Sequence, residues 1–149
     1  MNTAQTSSPE TDAPRPRWRI PVAIVALLFG AATIKSGGSV LFIDGPDRAA
    51  AGDYVPFVLW FNFIAGFFYI AAAIGIFMWQ SCVSKLAIAI AALTVLAFAA
   101  LGAHILMDGA FEMRTVYAMT LRSFVWVTIA FLLMRAMRPQ SSPPPSPPA

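Results

Sequence analysis

Apolar positions in this chain form four long runs separated by short polar joints. The runs cover residues 20–34 with a continuation to 43, then 55–79, 86–106 and 115–134. An α-helix rises about 1.5 Å per residue, so some 20 residues cross the roughly 30 Å hydrocarbon layer of a bilayer. In lipid the backbone N–H and C=O groups must be satisfied within the segment, so such runs become helices. The pattern predicts an all-α, integral membrane four-helix bundle over residues 18–138. Residues 1–17 are polar and aperiodic and read as a disordered tail. Residues 139–149 form a second tail, rich in proline and suited to extended polyproline II structure.

The first run is irregular. Fifteen residues, 20–34, are followed by Lys35-Ser36-Gly37-Gly38 and then by apolar residues again. The simpler expectation is a helix that ends near Lys35, whose amine snorkels to the head groups. The alternative is one longer helix, weakened at the glycines. Arg15, Arg17 and Arg19 before this run also resemble the basic start of a secretory signal. The basic region is long and no A-x-A site closes the run, so a retained span is the expectation. The third run is the richest in alanine, with Gly102 near its end. Small residues let membrane helices approach closely, so this span is expected to be the most buried. The pairs Ala26-x-x-x-Gly30 and Ala71-x-x-x-Gly75 are too common in alanine-rich helices to specify an oligomer.

Composition agrees with a membrane chain. Apolar residues make up 58% and charged residues 11% of the sequence, against about 25% charged in soluble domains. The net charge of +3 comes from clusters at the chain ends. No basic face with interleaved exposed aromatics is present, so nucleic acid is not an expected partner. The basic residues act instead as a topology signal. Arg15, Arg17 and Arg19, then Lys85, then Arg135 and Arg138 flank one side of the predicted bundle. The other two joints carry Asp44, Asp47, Arg48 and Asp53, then Asp108, Glu112 and Arg114, and are net acidic. The positive-inside rule places both termini in the cytoplasm and residues 44–53 and 107–114 in the periplasm of a bacterial inner membrane. Trp18, Tyr54, Trp79 and Tyr117 near the run ends fit an interfacial aromatic belt.

Candidate chemistry is sparse. Cys82 is the only cysteine, which excludes an intrachain disulfide, a CxxC pair and a cysteine-based zinc site. His104 is the only histidine, which argues against haem held by two histidines. Met107, Met113 and Met119 around it offer soft ligands for Cu(I), but a spacing of six is not helical. No hydrolase triad or phosphate loop is visible. No cofactor or metal is expected, and enzyme activity is less favoured than binding.

The informative residues are the polar ones inside the runs, because a charge at the bilayer centre costs about 2.5–3.5 kcal/mol on insertion scales. Lys35, Asn62, His104 and Arg122 each come from a different span, and all fall toward the acidic-joint side. Glu112 and Arg114 lie in or beside the joint above them. The expectation is a shared polar cavity with Arg122 as its deepest cation, suited to a small polar or anionic ligand. The competing expectation is a self-satisfied network, with Arg122 paired to Glu112 or Asp108. His104 and Asp108, four residues apart, share a face and can act as a proton switch if the helix continues through both. Trp60, Phe63, Phe67 and Ile70 form an aromatic stripe, expected to serve packing or lipid contact before it serves a quinone.

The stretches YVPFVLWFNFIAGFFYIAAAIGIF (54–77) and HILMDGAFEMRTVYAMTLRSFVW (104–126) resemble small bacterial four-span membrane proteins, similar in size and layout to DoxX-like proteins. The resemblance implies the four-helix fold and a redox-linked role for that group, with no motif to carry the role onto particular residues here. The sequence-based reading is a non-enzymatic accessory or ligand-binding membrane component that has the lipid bilayer, and other membrane proteins, as its surroundings. A quinone-linked redox subunit and a small transporter component are the alternatives.

Overall fold

The computed structural model describes residues 15–137. It contains α1 (Arg19–Phe42), the short α2 (Pro46–Ala50), α3 (Pro56–Met78), α4 (Val83–Leu106) and α5 (Met113–Ala136). The four long helices are all long and apolar enough to cross a membrane, and no strand occurs among the described residues. The bundle has a terminal end, carrying Arg19, the α3–α4 turn and Ala136, and a loop end, carrying α2 and the α4–α5 turn. The tail expectations for 1–14 and 138–149 lie outside the described residues.

Local chemistry sets the helix boundaries. Pro46 and Pro56 open α2 and α3, where the missing N–H is not needed and the fixed φ suits a first turn. α3 ends with Trp79 in the left-handed region, φ 57°. The Trp79 amide bonds to Ile76 O and the Gln80 amide to Gly75 O, at 3.1 and 3.0 Å, the pattern of a Schellman motif. A tryptophan is costly there. Trp18 compensates by packing edge-on against it, at 5.6 Å between ring centroids. Arg19 adds a 2.8 Å hydrogen bond to Phe77 O at the same helix end.

α1 does not end at Lys35. It runs unbroken to Phe42 through Gly37 and Gly38. The physical reason is packing. α1 contacts α3 more extensively than any other pair of helices touch. Ala23, Ala26, Gly30, Thr33 and Gly37 form its buried stripe, at spacings of three and four. A Cβ on Gly30 would stand 3.0 Å from Gly66 O, and one on Gly37 would stand 3.2 Å from the Phe63 Cβ. The glycines therefore work as contact points that bring the two backbones together, and the helical cost of glycine is offset by close packing.

The most buried span is α3, not α4: 39% of its most apolar stretch is buried, against 33% for α4. α3 packs against both α1 and α4 and also meets α5, where the Tyr69 and Trp126 rings lie 4.6 Å apart. The alanines of α4 surround the helix, and Ala89, Ala92, Ala99, Ala100 and Ala103 are exposed. Small residues permit burial but do not compel it. Large apolar side chains point outward, with Leu28 at 64%, Leu96 at 65% and Phe124 at 71% exposure. That is the expected polarity of a bundle solvated by lipid.

Candidate functional site

α1 and α5 come near each other with little direct packing, and the space between them is the site. α1 pairs with α3 and α5 pairs with α4. At the loop end the gap widens into a cavity of about 600 Å³. α1 contributes Thr33, Lys35, Ser36 and Ser39, and α3 contributes Asn62. α5 contributes Arg114, Thr115 and Arg122. Asp47, Tyr54 and Glu112 come from α2 and the connecting segments.

Arg122 forms the floor. It stands nine residues past Met113, as Thr33 stands nine residues before Phe42, so both lie about 14 Å from the loop-end helix termini. Its Nη2 donates to Thr33 Oγ1 at 3.3 Å. Nη1 has only the Met119 sulfur at 4.0 Å, a weak acceptor. The buried Nε has no partner. Arg122 makes no ion pair with Glu112 or Asp108, so the expected self-satisfied network does not form. Asn62, only 9% exposed, also has an unpartnered Oδ1. Buried polar groups are normally hydrogen-bonded, so this concentration of unmet capacity along one cavity calls for a partner.

The acidic residues are occupied elsewhere or stay at the rim. Glu112 Oε1 accepts from the Asp53 amide at 3.4 Å, which ties the α2–α3 segment to the α4–α5 turn. Gly52 makes this contact feasible: its φ is +56°, and a Cβ there would overlap the Glu112 carboxylate. Asp44 pairs with Arg48 at 2.8 Å. Lys35 and Arg114 are exposed, with no side-chain hydrogen bond or ion pair. The cavity is thus lined by the cations Lys35, Arg114 and Arg122 and the carboxylates Asp47 and Glu112, a net charge of +1 from three and two.

Five of the six residues singled out in the sequence, Lys35, Asn62, Glu112, Arg114 and Arg122, line this one cavity. His104 is not among its lining residues. Its Nε2 lies 3.2 Å from Ala110 O, and its ring stands edge-on to Phe57 at 6.3 Å. Nor does it share a helical face with Asp108. α4 ends at Leu106, and Asp108 adopts φ 58°, with Gly109 N bonded to His104 O at 3.0 Å. This second Schellman closure turns Asp108 away into solvent. His104 instead braces the turn, and a Cβ on Gly109 would collide with its ring.

Sequence reasoning did not find the polar patch beside the cavity. Tyr69, Thr94, Ser123 and Trp126 each bury a polar atom without a hydrogen-bond partner. The Tyr69 hydroxyl approaches Thr94 and Arg122 without completing a bond. The available signal was spacing: Met119, Arg122, Ser123 and Trp126 recur at three and four on α5. The aromatic stripe has a different place. Trp60 and Phe67 are exposed, and Phe42, Trp60, Phe63 and Phe67 make edge-on ring contacts along the outer side of the α1–α3 seam. Among the described residues no cluster of histidine, cysteine, aspartate and glutamate could hold a metal ion.

No family model, no curated protein and no solved structure matches this chain.

Proposed function

We propose that this multi-pass membrane protein is a binding component for a small anionic ligand, held in the cavity between α1, α3 and α5. The observation that carries the proposal is Arg122. A guanidinium is set about 14 Å below the helix ends, at the floor of a cavity, with one hydroxyl and one sulfur as its hydrogen-bond partners. A desolvated cation without a counter-charge is costly. An anion entering from the loop end would supply that counter-charge and engage the planar fork of donors. The Asn62 Nδ2 group would donate to the anion, and Lys35 and Arg114 would attract it at the rim. The basic flanks support a periplasmic, bacterial inner-membrane placement for this mouth. The reading is of binding, because among the described residues the groups beside Arg122 are hydrogen-bond donors and acceptors without a nucleophile–base pair.

The test is thermal stability of the purified protein in detergent with phosphate and with small carboxylates. A saturable rise in melting temperature that disappears in Arg122→Leu supports the proposal. Equal anion-dependent shifts in wild type and Arg122→Leu across all anions would refute it.

A further inference from the structure

Toward the terminal end, beyond Arg122, the same two helices frame a second, separate groove with a cavity volume of about 260 Å³. Pro21, Val22 and Val25 form one wall, and Phe124, Val125 and Ile129 are prominent on the other. Its accessible lining is wholly apolar. Leu132, at the far end of the groove, stands ten residues past Arg122 on α5, so the groove reaches to about 15 Å beyond the level of the guanidinium. The two spaces lie between the same two helices. One is polar and net cationic, and the other is apolar.

We propose that the ligand is an anionic phospholipid with a compact head, its phosphate in the cavity and one acyl chain along the α1–α5 groove. The proposal rests on the anion-binding reading above and adds a tail to it. Charge and position favour this occupant. A phosphate monoester carries about −1.5 to −2 charges at neutral pH with three acceptor oxygens, which suits Arg122 with Lys35 and Arg114. A freely diffusing anion would use the cavity and leave the groove unused. A neutral lipid would fill the groove and leave Arg122 without a counter-charge. A lipid with its head at the Arg122 level is drawn well below its usual depth, so its chain passes the bilayer centre. The groove lies there, in the terminal half of α1 and α5.

The full chain is reconstituted in phosphatidylcholine nanodiscs, and binding of phosphatidic acid is measured by native mass spectrometry against added phosphatidylcholine. Glycerol phosphate serves as the tailless probe. The expected result is a preference for phosphatidic acid of about tenfold or more. It should fall in Lys35→Ala and Arg114→Ala, exposed changes that leave the fold intact, and vanish in Arg122→Leu. Thr128→Phe and Val25→Phe, which fill the groove, should weaken phosphatidic acid binding about fivefold or more while glycerol phosphate binds as before. If both groove variants keep wild-type affinity for phosphatidic acid while Arg122→Leu loses it, the tail assignment is wrong and the anion site stands. If neither phosphate compound distinguishes wild type from Arg122→Leu, this inference and the binding reading fall together.

Discussion

At the residue scale, the environment of Arg122 decides what its loss should do. Leaving a buried acid unpaired is strongly destabilising, but no acid is paired with Arg122 here. Removing the charge removes a desolvation cost. Arg122→Leu is therefore expected to melt at or above the wild-type temperature in ligand-free detergent, checked by circular dichroism. Thr33→Val should cost about 0.5–1.5 kcal/mol, the value of one hydrogen bond, and leave Arg122 less well positioned. The glycines behave differently from the charges. Gly66 faces Gly30 O, and a Cβ would stand 2.6 Å from the Ile34 side chain. Gly66→Leu should destabilise the bundle by about 1–3 kcal/mol through overpacking, measurable by unfolding in mixed micelles.

At the scale of elements, the continuation of α1 past Lys35 matters most. It carries Lys35, Ser36 and Ser39 along the cavity wall instead of leaving them in a loop. It also sets Gly37 against Phe63, so a Cβ at 37 would stand 3.2 Å from that of Phe63. Disulfides bridge Cβ atoms about 3.5–4.5 Å apart. A separation of a few tenths of an ångström brings the pair into that range, so Gly37→Cys with Phe63→Cys, in a Cys82→Ser background, should oxidise to an intrachain disulfide, seen as a mobility change reversed by reductant. A helix ending at Lys35 would give no such product. The α4–α5 turn is fixed in a similar way, by Asp108 in the left-handed region and by His104 against Ala110 O. Its position brings Glu112 to the Asp53 amide and closes the loop end beside the cavity.

For the whole molecule, four spans require the α3–α4 turn to lie on the opposite side of the membrane from both loop-end segments. Reporter fusions after residues 50, 82 and 110 should give one state at 82 and the opposite state at 50 and 110. The basic flanks predict that 82 is the cytoplasmic one. Two helix pairs, α1 with α3 and α4 with α5, joined mainly through α3 and α4, leave the α1–α5 face open. The open face is what gives the bundle both a polar cavity and an apolar groove.

The sequence by itself determined the number and lipid-facing character of the four membrane-crossing helices, because those follow from backbone satisfaction and transfer energy, which are local and additive. It also placed Lys35, Asn62 and Arg122 at compatible depths, since depth is a count of residues along a helix. Azimuth was beyond it. Which face a helix turns inward depends on its neighbours, and in lipid the hydrophobic pattern that reports this in water is nearly flat. For that reason the exclusion of His104, the greater burial of α3 and the unbroken passage through Gly37-Gly38 were decided only by the tertiary structure. Each depends on a contact between distant segments: His104 with Ala110 O, Tyr69 with Trp126, Gly37 with Phe63. Arg122 shows both limits. Its cost in lipid was legible from one letter in an apolar run, but its lack of an acidic partner emerged only once five helices had been packed.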